Sequence, residues 1–116
     1  MSKEKKIEQF NPNENINPNH NIFGLPFTSN ESEIILIPVP WDVTASYKDG
    51  SSKAAEAIFN SSLQIDLYDA FAKEAWKAGI SMDWTSEYWL NKNKHFRKKI
   101  KEYDQYIIEK KTLNKK

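Results

Sequence analysis

Apolar residues run without a break from Ile34 to Ile37, and Pro38-Val39-Pro40 closes the run. Continuous apolarity, rather than alternation, predicts a strand over 34–39 covered on both faces, as in parallel sheets. Pro38 falls where the hydrogen-bond ladder should be ending. No other stretch matches this one in strength. The pattern therefore predicts one core strand whose neighbours lie outside these residues or come from a partner.

Beyond the strand, Ser51 or Ser52 can cap a helix over 52–63 that carries Ala54, Ala55, Ala57, Ile58 and Phe59. Residues 63–67, L-Q-I-D-L, alternate and predict a short extended piece. Residues 69–78 predict a brief helix stopped by Gly79. Thr85 as cap and Glu87 in the first turn open the longest predicted helix, 86–111. Along it Trp89, Phe96, Ile100, Tyr103 and Ile107 form one apolar seam with a period near 3.5. Such a seam lies on its own domain or on a partner helix.

Upstream, Asn occupies every odd position from Asn11 to Asn21, with Pro12 and Pro18 between. Residues 1–21 therefore read as a disordered, Asn-rich lead. Residues 22–33 read as a loop that Ile22, Phe23, Leu25 and Phe27 tack onto a core, with Gly24 and Pro26 breaking regular structure.

Composition narrows the class. The 116 residues are 39% hydrophobic and 28% charged, with 4 Trp, 5 Tyr, 6 Phe and no Cys. Disulfides and thiolate zinc sites are excluded. The N-terminal residues lack the apolar region of a signal peptide, and no window is long and apolar enough to span a bilayer. Cytoplasmic residence and no membrane partner are the expectation.

Net charge is only +1, but it is segregated. Residues 91–116 hold ten Lys/Arg against three acids, a net of +7, and the remainder carries −6. Arg97 is the only arginine. Lysine is a solvated point charge and lacks the bidentate fork of arginine, so a nucleic-acid partner is not expected.

Candidate chemistry is sparse. His20 and His95 stand apart from any second ligand at metal-binding spacing. Three glycines leave no room for a glycine-rich phosphate cradle. Ser46, Ser51 and Ser52 have no His/Asp arrangement nearby. Asp66, Asp69 and Asp83 read as solvated turn carboxylates. The loop 41–50, W-D-V-T-A-S-Y-K-D-G, stands out. It can be a tight crossover in which Asp42 bonds backbone donors and Gly50 takes a positive φ. It can equally be the wall of an active-site mouth, since ligands sit beyond the carboxyl ends of strands in α/β sheets.

This pattern resembles the start of the arginase/agmatinase (ureohydrolase) family. Pro40, Trp41 and Asp42 match its Pro-aromatic-acid step, Ser46 and Tyr47 its turn, and Gly50 its glycine. Glu56, Ala57 and Ile58 match its helix. S-L-Q-I-D-L-Y-D at 62–69 and W-K-A-G-I at 76–80 continue the likeness, which covers about residues 22–110. One departure is Ala54-Ala55 where the family has Gly-Pro. The resemblance implies the N-terminal piece of a three-layer α/β/α parallel-sheet fold, with residues 22–116 forming part of an arginase-like domain. It implies a hydrolase of linear amidine or guanidino C–N bonds in which two manganese ions activate a bridging hydroxide. The substrate would be a guanidino or amidine small molecule: arginine, agmatine, formiminoglutamate or guanidinobutyrate. Complete relatives would be homo-oligomers. The family's ligand segments, Gly-Gly-Asp-His, Asp-x-His-x-Asp and Asp-x-Asp, do not occur here. The chain alone is thus expected to hold no metal and no catalytic residue, with Trp41, Asp42, Ser46 and Tyr47 on the substrate side. The other open reading is a small non-catalytic interaction module that uses the helix 86–111.

Overall fold

The computed structural model describes residues 1–14, 17, 19–45, 50–84 and 87–113. Among these are α1 (Lys3–Gln9), β1 (Ile34–Leu36), α2 (Ala54–Ser62), β2 (Ile80–Met82) and α3 (Glu87–Leu113), joined by loops and short 3-10 turns. The chain is a mixed α/β arrangement. It divides into two units, Met1–Pro38 with Ala55–Trp84, and Val39–Ala54 with α3.

In the first unit β1 and β2 pair in parallel, with Ile34 opposite Ile80, Ile35 opposite Ser81 and Leu36 opposite Met82. The Asp83 N–H donates to the Leu36 carbonyl at 2.9 Å and extends the ladder. The expectation that the chain offers no partner strand is corrected here. Ile80-Ser81-Met82 is too short and too mixed to read as an apolar run, and pairing rather than propensity makes it a strand. Gly79 sets up the approach. Its φ is 81°, and a Cβ there would stand 2.9 Å from the Glu31 carbonyl oxygen.

β1 is shorter than the predicted 34–39, ending two residues before Pro38. Its expected coverage on both faces is also absent in this chain. Ile35 is 45% exposed and Ile37 65% exposed.

The core of this unit lies under the chain that leads into β1. Leu25, Phe27 and Trp76 form a buried cluster, against which Ile7, Phe10 and Ile80 pack. The tacking role expected for Ile22, Leu25 and Phe27 is thus met by near-complete burial. Asn21 ties this loop to β2. Its Oδ1 accepts the N–H groups of Ile22 at 2.7 Å and Met82 at 2.8 Å. Ser62, at the end of α2, accepts the Phe23 N–H at 2.9 Å and donates to the Phe59 carbonyl. That anchor holds Phe23 at a φ of 60°, a conformation non-glycine residues rarely adopt.

The disordered lead is corrected over Lys3–Gln9, which form α1. Few apolar residues mark this helix, and tertiary ties fix it instead. Lys6 Nζ donates to Glu31 at 2.6 Å, Lys3 Nζ donates to the Ala78 carbonyl at 2.6 Å, and Ile7 packs on the core. Asn15, Ile16 and Pro18 of the lead lie outside the described residues.

Two other predicted pieces differ. No strand forms at 63–67, and the helix expected over 69–78 is only a 3-10 turn, Ala75–Ala78, closed by Gly79. The Asp69 carboxylate accepts the N–H groups of Phe71 and Ala72, each at 2.8 Å. That local turn competes with helix.

The Lys6–Glu31 pair gives the fold an acid dependence. The Lys6 ammonium, and then the Thr28 N–H, hold the Glu31 carboxyl down to about 2. A carboxyl depressed on folding contributes stability above its ordinary value of 4.5 and loses it as pH falls toward about 2. Urea unfolding midpoints are therefore expected to drop across that window, and Glu31→Gln is expected to flatten the drop. An unchanged slope in the variant would contradict this.

Candidate functional site

The second unit contains the 41–50 loop that sequence singled out. The structure describes Trp41, Asp42 and Gly50, whereas Ser46 and Tyr47 lie outside the described residues. Ile37 to Pro40, which carry no regular structure, lead from β1 into the loop, as expected where prolines hold φ and withdraw N–H donors. Trp41 is partly exposed, and its ring meets Phe96 of α3 at 6.0 Å between centroids.

Asp42 is the organising residue. It is 7% exposed. Its Oδ2 accepts the N–H groups of Gly50 at 2.9 Å and Ser52 at 3.2 Å. Its Oδ1 accepts the Asn93 Nδ2 at 2.8 Å, and its own N–H donates to the Asn93 Oδ1 at 2.8 Å. The Gly50 N–H, and then the Asn93 amide, hold the Asp42 carboxyl well below the usual carboxylate range. The backbone-bonding role read from sequence is therefore present, closing the loop 42–52. Gly50 supports the closure with a φ of 129°.

Arg97 fastens the same loop one helical turn beyond Asn93. Its Nη1 lies 3.1, 2.9 and 2.8 Å from the carbonyl oxygens of Asp42, Val43 and Ala45. A planar guanidinium suits converging carbonyls in a way a lysine ammonium does not. Asn93 and Arg97 were not chosen from sequence. The available signals were their i, i+4 spacing and the solitary arginine among lysines. Arg97→Lys is expected to cost about 1.5–3 kcal/mol, the range for hydrogen bonds to charged groups. Faster hydrogen exchange through residues 42–45 would report it, and unchanged protection would contradict it.

The seam expected along the long helix is present on α3, but much of it is uncovered. Trp89, Phe96 and Tyr103 are exposed, while Ile100 and Ile107 are half-buried. Asn93 and Arg97 lie on a different stripe of the helix, which carries the loop.

Asp42, the described acid of this loop, is not free to hold a manganese ion. Both carboxylate oxygens of Asp42 are taken by N–H donors, and hydrogen-bonded acceptors of this kind serve the backbone rather than a cation. Among the described residues no group of three His, Asp or Glu side chains is placed to hold a metal. His20 instead places its Nδ1 2.9 Å from the Gly24 carbonyl oxygen. Among the described residues no helix is long and apolar enough to cross a membrane. Comparison with protein-family models, with curated proteins and with solved structures finds no match to this chain.

Proposed function

We propose that this chain is the N-terminal segment of an arginase/agmatinase-like hydrolase of linear amidine or guanidino C–N bonds. One observation carries the reading: a parallel strand pair whose first strand leads directly into a Pro-Trp-Asp turn closed on itself by the aspartate. Parallel pairs belong to α/β sheets with covered faces, and the exposed isoleucines of β1 call for further sheet and helix. In this reading Trp41, Asp42, Ser46 and Tyr47 border the substrate side. Asp42 sets the shape of the loop and leaves Trp41 as the contact surface. The two manganese ions, which supply an activated hydroxide when bound, belong to ligand segments outside these 116 residues. The complete protein would act in the cytoplasm as a homo-oligomer on a guanidino or amidine small molecule.

Sequencing the transcript past the Lys116 codon tests this. The expected result is a continuing frame that encodes Gly-Gly-Asp-His and then Asp-x-His-x-Asp. A stop codon followed by no such motif in any frame overturns it. The 116-residue chain is itself expected to release no urea from arginine or agmatine in the presence of manganese. Calorimetry showing micromolar manganese binding by the chain would contradict that expectation.

A second reading, a non-catalytic interaction module built on α3, is favoured by the exposure of Tyr103, Tyr106 and Ile108. It predicts that an early stop codon coincides with a stable monomer that captures a partner through these side chains.

A further inference from the structure

We propose, resting on the interaction-module reading, that the uncovered seam of α3 docks an amphipathic helix of a partner whose apolar stripe is bordered by Glu or Asp.

The docking face lies within the second unit. Phe96, Ile100, Tyr103 and Ile107 follow one another at four, three and four residues, so they share one stripe of α3. Phe96 meets Trp41 but stays 40% exposed, and Tyr103 is 60% exposed. The side-chain bonds found for residues 102–113 remain within the helix. Glu102 pairs with Lys98, the Gln105 amide donates to Glu109, and the Thr112 hydroxyl donates to the Ile108 carbonyl. Helices in proteins gain most of their stability by burying an apolar face, and here that face is open.

Charge selects the occupant. Lys92 precedes Phe96 by four residues, Lys99 precedes Tyr103 by four, and Lys110 follows Ile107 by three. At these spacings the three lysines stand along one border of the stripe. Lys111, four residues beyond Ile107, stands on the other border with Asp104. The borders therefore carry four cations and one anion, while Glu102 and Glu109 fall on the far side of the helix. Lys92 lies over the Tyr88 ring and Lys110 over the Tyr106 ring, which leaves their charge at the surface. Arg97, which holds the loop, and Lys101, which has a partner of its own, are not needed.

A second copy of α3 would bring lysines against these lysines, and like charges flanking a helix pair work against it. A helix with Glu or Asp beside its apolar stripe sets opposite charge on the borders. Its stripe covers Phe96 and Tyr103, and aromatic side chains are the usual anchors of such contacts.

Nuclear magnetic resonance titration of the 116-residue chain with three synthetic peptides tests the proposal. All have the same leucine content: one is an amphipathic helix with Glu borders, one has Lys borders, and one is the Glu peptide with its order scrambled. The expected result is saturable shifts confined to residues 92–111 with the Glu-bordered peptide, weakening as sodium chloride is raised, and none with the other two. Lys92→Gln, Lys99→Gln is expected to bind that peptide about fivefold more weakly, the scale of two exposed ion pairs. Lys94→Gln, Lys98→Gln, on the far side of α3, is expected to bind as the parent does, and far-ultraviolet dichroism checks that both variants keep the helix. No saturable shift with the Glu-bordered peptide overturns the proposal. Equal binding of the Lys-bordered peptide, or equal weakening in both double variants, also overturns it. So does binding to vesicles of anionic lipid without any response to the Glu-bordered peptide. The module reading is judged separately, by the stop codon.

Discussion

Asp42→Ala is expected to cost about 3–5 kcal/mol and to free the 42–52 loop from α3, since each buried donor left without a partner costs about 1–3 kcal/mol. Three donors lose their acceptor at once: the N–H groups of Gly50 and Ser52, and the Asn93 amide. Asp42→Asn keeps the shape but turns an N–H₂ group toward one of these donors, so it is expected to rescue only part of the loss. Hydrogen exchange at the Gly50 and Ser52 amides reads the effect directly. Retained protection in Asp42→Ala would show that the loop is held by Arg97 alone. The sign with pH is the usual one for a depressed carboxyl. The contribution is whole above the ordinary aspartate value of 3.8 and fades as acid protonates the folded form.

Phe27→Ala should be at least as damaging to the first unit. Phe27 is 1% exposed and stacks on Trp76 with ring centroids 6.5 Å apart. Removing a buried phenyl ring costs about 3–5 kcal/mol, against a total stability of about 5–15 kcal/mol for a whole domain. Among the described residues the buried cluster has Leu25, Phe27 and Trp76 at its centre, so little remains to hold the cavity shut. The expected outcome is loss of cooperative unfolding, read by near-ultraviolet dichroism and by the Trp76 indole resonance. A sharp transition shifted by only a few degrees would mean that α1 and the Asn21 ties carry the unit instead.

Legibility in the sequence followed the density of the signal. The long helix was plain because its seam and charge pattern run through twenty-six residues; α3 ends two residues beyond the expected 111, while Thr85 and Ser86 at its expected start lie outside the described residues. Ile22, Leu25 and Phe27 could be read as buried because apolar residues in a broken, Gly/Pro-containing loop have little reason to be there except to pack. Asp42 and Gly50 could be read because turn chemistry is local. What escaped is non-local. α1 is a polar heptapeptide made helical by Lys6–Glu31 and by burial of Ile7. β2 is three residues that become a strand only opposite β1. Asn93 is one of many asparagines, and its bond to Asp42 spans 51 positions. The family likeness rests on matched residue types alone.

The register of β1 on β2 has a consequence for synthesis. Ile34 pairs with Ile80, 46 positions later in the chain. At a translation rate of about 5–20 residues per second, β1 waits roughly two to nine seconds after its own synthesis before its partner has even been made. During that interval Ile34, Ile35, Leu36 and Ile37 form an unpaired apolar segment, the kind of edge that recruits other strands. Pro38 and Pro40 follow immediately and cannot donate to a ladder, which limits how far a wrong pairing can propagate. The two prolines that end the strand in the folded chain thus also guard the nascent one.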